Sequence, residues 1–363
     1  MTLVADLPTP AVLVDADVLE RNIARMAAHA RDAGVRLRPH AKTHKIPEVG
    51  RMQIAAGAAG LSLAKTGEAE VFASAGFDDL FLAYPTVGED RGRRLLALSD
   101  RVRLAAGADS VEGAESLGRP FAAAGRRIDV LLKVDCGFHR VGVLPERAVE
   151  TALSIASLPG VSLRGIFTHA GHSYLAETPG GVAAVGREEG ETMTAVAGAL
   201  KAEGIACDEV SVGSTPSARH AMSVAGVTEC RPGNYVFHDA SQVNLGTCSV
   251  EDCALTVLAT VVSAPAPGRA VVDAGSKTLS SDSLRPQADG YGLLLGGEGR
   301  IERLSEEHGV VRVAPGRRLD IGQRVRILPN HACVVTNLHD RIFAVRGERI
   351  ETEWRVAARG RVT

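Results

Sequence analysis

Eight short runs of apolar and β-branched residues recur through residues 10–235, and they constrain the fold more than any other feature of this 363-residue chain. They are VRLRPHAK (35–42), GLSLAK (60–65), DLFLAY (79–84), VRLAAGA (102–108), DVLLKVD (129–135), SLRGIFTHA (162–170), DEVSVGS (208–214) and VTECRPG (227–233). Stretches of helical period lie between most of them, such as ADVLERNIARMAAHARDAG before the first and GGVAAVGREEGETMTAVAGALKAEG before the seventh. Short continuous apolar runs suit strands buried on both faces, whose parallel pairing needs a helical crossover. Eight such units predict an α/β fold, a (β/α)8 TIM-type barrel over residues 10–250. A doubly wound open sheet is the rival. It needs fewer regular units, and no G-x-G-x-x-G follows the first strand.

The texture changes after about residue 250. ALTVLATVVSAP, RAVVDAG, GVVRVAP, QRVRILPN, RIFAVRG and RIETEWRVAARG are strand-like runs parted by Gly and Pro. They predict a mainly antiparallel β domain over 251–363. An apolar fraction of 45%, a charged fraction of 23% and a net charge of −2 describe an ordinary globular chain. Without a basic excess, nothing neutralises the phosphates of a nucleic acid. No apolar run reaches the roughly 18 residues of a membrane span. The opening MTLVADLPTPAVLVD has no basic leader and carries Pro8 and Pro10, so no signal peptide is expected. Six thinly spread cysteines are no disulfide framework, which predicts a reduced, cytoplasmic protein.

In such a barrel the chemistry lies at the carboxyl ends of the strands. Those ends carry Pro39-His40-Ala41-Lys42-Thr43-His44-Lys45, Tyr84, Asp135-Cys136-Gly137-Phe138-His139-Arg140 and Thr168-His169-Ala170-Gly171-His172-Ser173-Tyr174. The last two are Gly213-Ser214-Thr215-Pro216-Ser217 and Arg231-Pro232-Gly233-Asn234-Tyr235. Each has a bland alternative, a polar group satisfied by its own backbone, and it is their clustering at one end that points to a site. The loops after strands 7 and 8 commonly bind phosphate, and GSTPS and RPGN offer hydroxyls, backbone N–H groups and a glycine for close approach. A phosphate site opposite a strand-end lysine suggests a cofactor joined to that lysine as a Schiff base. The chain has only six lysines, at 42, 45, 65, 133, 201 and 277. Lys42, flanked by His40 and His44, is the best nucleophile, because neighbouring cations and burial free an amine to attack. Lys45 and Lys65 are its rivals, Lys133 could be a buried ion-pair partner, and Lys201 belongs on an exposed helix face.

PHAKTHK (39–45), KVDCGFHRVGV (133–143), THAGHSY (168–174), VGSTPS (212–217), RPGNYVF (231–237), LSEEHG (304–309) and PNHACVV (329–335) resemble the D-threonine aldolase and D-serine dehydratase family. These are pyridoxal-phosphate enzymes of alanine racemase-like fold. The resemblance runs from about residue 8 to residue 350. It implies a barrel followed by a β domain, pairing of residues 1–9 with that domain, and a homodimer acting on a small D-3-hydroxy amino acid. It makes Lys42 the Schiff-base lysine and places Arg140 on the cofactor's phenolic oxygen. His169 falls near the ring face, Tyr174 near the imine, and Ser214, Thr215, Gly233 and Asn234 in the phosphate cradle. Arg231 stands where the racemases put an arginine on the ring nitrogen.

His331-Ala332-Cys333 supplies a further signal. On an extended segment residues i and i+2 share a face, so imidazole and thiolate would converge. Sulfur with nitrogen favours zinc over harder ions. By resemblance, His-x-Cys matches the zinc site of the D-serine dehydratases, whereas the aldolases carry His-x-Asp with manganese or a similar ion. The other cysteines, 136, 207, 230, 248 and 253, read as small core or loop residues. Glu306, Glu307 and His308 could support the metal or form a solvated loop. The expected activity is a PLP- and zinc-dependent lyase that dehydrates D-serine, D-threonine or D-threo-3-hydroxyaspartate to a 2-oxo acid and ammonia. A D-threonine aldolase is the alternative; an amino-acid racemase and a non-catalytic PLP-binding protein are more distant ones.

Overall fold

The computed structural model describes residues 2–283 and 289–363. The chain forms two compact units. One comprises Met1–Ala24, Thr43–Glu48 and Asn234–Arg359; the other comprises Arg25–Lys42, Val49–Gly233 and Gly360–Thr363.

The second unit contains the predicted barrel. Its eight parallel strands are Arg36–Leu37, Leu61–Leu63, Asp79–Pro85, Arg103–Ala108, Ile128–Lys133, Val161–Phe167, Glu209–Val212 and Glu229–Cys230, each within one of the eight apolar runs or extending it by a residue. The first strand pairs with the last, and a parallel bridge between His40 and Ser62 joins the first to the second, so the sheet closes. Closure leaves the barrel without an exposed edge. Phe81, Leu131 and Phe167 fill one interior layer, with the Phe81 and Phe167 rings edge-on at 5.1 Å. A polar layer shares the interior. Arg38 donates to Glu229 (2.8 Å) and Asp79 (2.6 Å), and Glu229 in turn accepts from Ser211 (2.7 Å). Burial opposes the Arg38 charge, but the two carboxylates outweigh it and raise its pKa. The guanidinium therefore stays charged.

Helices return the chain between strands. The longest, Pro179–Ala202, begins as local chemistry dictates: the Thr178 side chain accepts from Gly181 N at 3.1 Å, and Pro179 occupies the first turn, where its missing N–H costs nothing.

The first unit is built on a nine-stranded sheet. Six strands, Leu255–Ala266, Arg269–Val272, Gly309–Val313, Gly299–Leu304, Gly292–Leu294 and Arg324–Pro329, form a closed antiparallel ring, because Leu255–Ala266 also pairs with Arg269–Val272. Ala11–Asp15 lies antiparallel to Leu255–Ala266 on one side and parallel to Arg341–Arg346 on the other, and the hairpin partner Arg349–Arg355 ends the sheet. Leu3 bridges Arg349. Alternation decides the faces: in Arg324–Pro329, Val325 and Ile327 are buried while Arg324 and Arg326 are not. All six cysteines are free. Among the described residues no helix is long and apolar enough to cross a membrane.

Candidate active site

Lys42 lies in the short turn Ala41–Thr43 that follows the first barrel strand. The segment before it is pinned on both sides, His40 N donating to Pro232 O (2.9 Å) and Ser62 N to Pro39 O (2.8 Å), and Lys42 N donates to His40 Nδ1 (3.4 Å). The amine is thus mounted on rigid backbone and half-buried. The other lysines have different commitments. Lys45 Nζ donates to Asn337 (2.8 Å), Lys65 Nζ lies 4.2 Å over the Tyr84 ring, Lys277 pairs with Glu306 and Glu307, and Lys201 is exposed at a helix end.

Lys133, the last residue of the fifth barrel strand, is buried with its Nζ 4.7 Å over the Phe167 ring. Burial and the Arg231 charge push its amine down to about 7. Asp135, Cys136, Phe138, His139 and Arg140 follow within seven residues, but nothing in a strand-like run shows that a lysine will lack a carboxylate. The unfolded chain holds that proton up to the ordinary 10.5, so across this window unfolding binds a proton and stability rises with pH. Lys133→Met is therefore expected to raise Tm most at about pH 7 and below, the gain shrinking toward pH 10.5. Thermal melts across that range check it; a pH-independent difference would exclude the buried amine as its source.

His169 Nδ1 lies 3.0 Å from the Gly213 carbonyl and so carries the proton there, leaving Nε2 as an acceptor. Burial, reinforced by Lys42, Lys133 and Arg140, holds its pKa well below the usual range, so the ring is neutral. Phe138 meets it edge-on at 6.0 Å and carries Arg140 on its own face at 4.7 Å. Arg140 is exposed, and Tyr174 is half-buried in the turn Gly171–Leu175.

Glu189, on the Pro179–Ala202 helix, is fully buried and reaches under two of the strand-end loops. Ala170 N (3.2 Å) and Gly213 N (2.8 Å) donate to its Oε1, and Ser217 Oγ lies 3.1 Å from Oε2. Ser214 Oγ is 2.8 Å from both Ser217 Oγ and Ser173 Oγ. Ser214 and Thr215 are buried with it. Gly213 has φ +118, and an added Cβ would stand 2.8 Å from Cys230 Sγ, so only glycine fits. On its own helix Glu189 reads as one more acidic surface residue; no sequence signal marks it.

Arg231 is buried between Phe81 and Phe167 and donates to Ser211 Oγ (2.6 Å), Val212 O (3.2 Å) and Thr168 O. Its Nε is buried without a partner among the described residues. An unpaired buried donor is costly and fits a site whose acceptor arrives with a ligand. Hydroxyls, loop N–H groups and this orphan donor suit a phosphorylated, nitrogen-bearing ring such as pyridoxal phosphate.

In the first unit, Asn234 donates to Asp239 Oδ2 at 2.6 Å, and Ala332 N donates to the same oxygen at 2.9 Å. Asp239 Oδ1 caps the short helix Ala240–Asn244 through Gln242 N (3.2 Å). One buried carboxylate thereby fastens Asn234 and the start of the helix Ala332–Leu338. That helix corrects the geometry expected of His331 and Cys333. His331 is the extended residue before it and Cys333 lies in its first turn, so the two side chains converge at a strand-to-helix corner rather than along a strand. His331 Nδ1 is 2.9 Å from Asp282 Oδ2, and Cys333 Sγ is 3.3 Å from Thr43 Oγ1. Burial opposes a charge on His331, but Cys333, Asp282 and Asp239 outweigh it and push the imidazole up to about 11. With Asp282 on Nδ1, Nε2 is the nitrogen available to a metal, the usual carboxylate–histidine arrangement. Among the described residues no group of three or more His, Cys, Asp and Glu side chains is arranged to hold an ion. A nitrogen and a sulfur fit a borderline-soft metal that keeps open positions. Glu306 and Glu307 are exposed and paired with Lys277, which makes their loop a solvated one.

The alanine racemase N-terminal domain model matches residues 14–241, and a serine dehydratase domain model matches residues 254–345. D-threo-3-hydroxyaspartate dehydratase of Delftia sp. is 40% identical over 90% of this chain and 91% of its own, and D-threonine aldolase of Arthrobacter sp. is 34% identical over 98% and 94%. The crystal structure of D-threonine aldolase from Filomicrobium marinum superposes with a TM-score of 0.93 at 32% identity, covering 99% of this chain and 98% of that one. The Delftia enzyme superposes with a TM-score of 0.91 at 36% identity, covering 98% of this chain and 99% of that one. Its known structures include a histidine-to-alanine variant and a cysteine-to-alanine variant, the latter in metal-free form. The barrel with its strand-end lysine, the ring of antiparallel strands and these likenesses agree, and the chain belongs to the D-threonine aldolase and D-serine dehydratase family of alanine racemase-like, pyridoxal-phosphate-dependent lyases.

Proposed function

We propose that this protein is a zinc-dependent dehydratase of D-3-hydroxy amino acids, D-serine, D-threonine and D-threo-3-hydroxyaspartate being the candidate substrates. The observation that carries this reading is the His331–Cys333 pair with Asp282 behind the imidazole, a sulfur-and-nitrogen donor set that a racemase has no use for. The Delftia relative, named for dehydration of a 3-hydroxy amino acid, supports it. When bound, pyridoxal phosphate supplies an electron sink for the Cα electrons, and zinc supplies Lewis-acid stabilisation to a departing β-hydroxyl.

The residues divide the remaining work. Lys42 Nζ would hold the cofactor, and its amine would be the base that takes the Cα proton of a bound substrate. Arg140 contributes a permanent cation to the cofactor's phenolic oxygen. His169, neutral and anchored on Gly213, packs near the ring, and Tyr174 stands near the reacting nitrogen. Ser214, Thr215, Gly233 and Asn234 would cradle the phosphate, and the orphan Nε of Arg231 would donate to the ring nitrogen. His331 and Cys333 hold the metal. The six free cysteines suit the cytoplasm, and we read the working form as a homodimer.

Incubation with the three substrates, with and without EDTA, tests the reading by its products. Pyruvate from D-serine, 2-oxobutyrate from D-threonine or oxaloacetate from D-threo-3-hydroxyaspartate, each with ammonia and each lost on chelation, is the expected result. Glycine with an aldehyde would make the protein an aldolase. Chelator-insensitive loss of optical rotation would make it a racemase.

A further inference from the structure

The hydroxyls behind Ser214 form a line with a proton count that can be checked. It runs from Ala170 O through Ser173 Oγ (2.7 Å), Ser214 Oγ (2.8 Å) and Ser217 Oγ (2.8 Å) to Glu189 Oε2 (3.1 Å). That is four contacts served by three hydroxyl protons. The carbonyl at one end only accepts, and an ionised carboxylate at the other end only accepts too. An ionised Glu189 would leave one pair of oxygens facing each other with no proton between them. A neutral acid supplies the fourth proton from Oε2, and every contact becomes a hydrogen bond running one way. Its Oε1, then a carbonyl oxygen, accepts the two backbone N–H groups of Ala170 and Gly213.

The charges around Glu189 agree. Arg231, Lys133, Cys136 and Cys230 are the titratable groups that face it. The only permanent cation among them, Arg231, gives its Nη1 and Nη2 hydrogens to Ser211, Val212 and Thr168. A buried carboxylate without a hydrogen-bonded cation favours its neutral form, and burial pushes Glu189 up. We infer that Glu189 is a positioning residue held as a neutral carboxylic acid, its proton ordering Ser217 and Ser214 so that Ser214 is backed as a donor to the cofactor's phosphate. When the anion arrives, Ser214 gives up its hydrogen bond to Ser173 and turns its proton to the phosphate, the charge-assisted bond replacing the neutral one, while Ser217 still donates into it. This rests on the reading of Gly213–Ser217 as the phosphate cradle.

The test compares Glu189→Gln and Glu189→Leu with the wild type in the full-length protein. Dissociation constants are measured for pyridoxal 5′-phosphate and for unphosphorylated pyridoxal, and infrared spectra are taken for a carboxylic acid carbonyl band. Glutamine reproduces an acceptor on one atom and a donor on the other, so E189Q is expected to bind pyridoxal phosphate within about threefold of wild type, whereas E189L loses about tenfold or more for the phosphorylated form alone. The acid band should be present in wild type at neutral pH and missing in E189Q. An E189Q as impaired as E189L, or no acid band in the wild type, would overturn the inference. A wild type that binds both ligands equally would remove the cradle reading and with it the proposed ligand, while the infrared band would still report the state of Glu189. Should E189L fail to fold, E189Q and the band decide alone.

Discussion

Lys42→Ala should lower turnover by about three orders of magnitude or more and abolish visible absorbance from the bound cofactor, while leaving the fold intact. The other lysines have other surroundings. Lys45 and Lys277 hold hydrogen-bonded partners, Lys65 lies against Tyr84, and Lys133 is sealed beneath the strand ends. Lys42 itself is half-buried on a turn whose shape comes from backbone bonds at Pro39, His40 and Pro232, so removing its side chain opens no large cavity. The melting temperature of the variant without cofactor should therefore stay within a few degrees of the wild type, as for a surface substitution. Absorbance titration and turnover of the same preparation check both halves. Retention of absorbance in the alanine variant would transfer the role to another amine.

Cys333→Ala should remove bound metal and reduce dehydration by orders of magnitude without disturbing the absorbance at Lys42. The pair offers two protein ligands, so losing the sulfur leaves one imidazole, too little to hold an ion against a chelator. Asp282→Asn should do less. It removes the carboxylate that orients His331 through Nδ1, and a change of that kind weakens metal binding by about 10- to 100-fold. Metal content after dialysis, read beside the absorbance spectrum, separates the two. A C333A protein with full metal content would place the ion elsewhere.

The barrel was legible because parallel strands buried on both faces leave short, continuous apolar runs, and DVLLKVD and SLRGIFTHA are such runs. The loops at their ends followed from fold geometry. The corner at His331 was not legible. ACVVTNL is rich in β-branched residues and reads as strand, yet Ala332–Leu338 is a helix, with Ala332 N satisfied by Asp239, 93 residues earlier. Tertiary context overrode local propensity there. Ala11–Asp15 shows the same limit: its partners are Leu255–Ala266 and Arg341–Arg346, and no local pattern announces a neighbour so distant in the chain. Glu189, Asp239 and Asp282 escaped for one reason. A carboxylate's role depends on what surrounds it, and each bonds to a segment outside its own element.

Lys42 is the amine proposed to carry the aldehyde cofactor. Reducing the holoenzyme with borohydride fixes the cofactor to whichever amine holds it, and peptide mapping then locates the added mass among the six lysines. A phosphopyridoxyl group is expected on Lys42 alone. A label on any other lysine, or none at all, would contradict it.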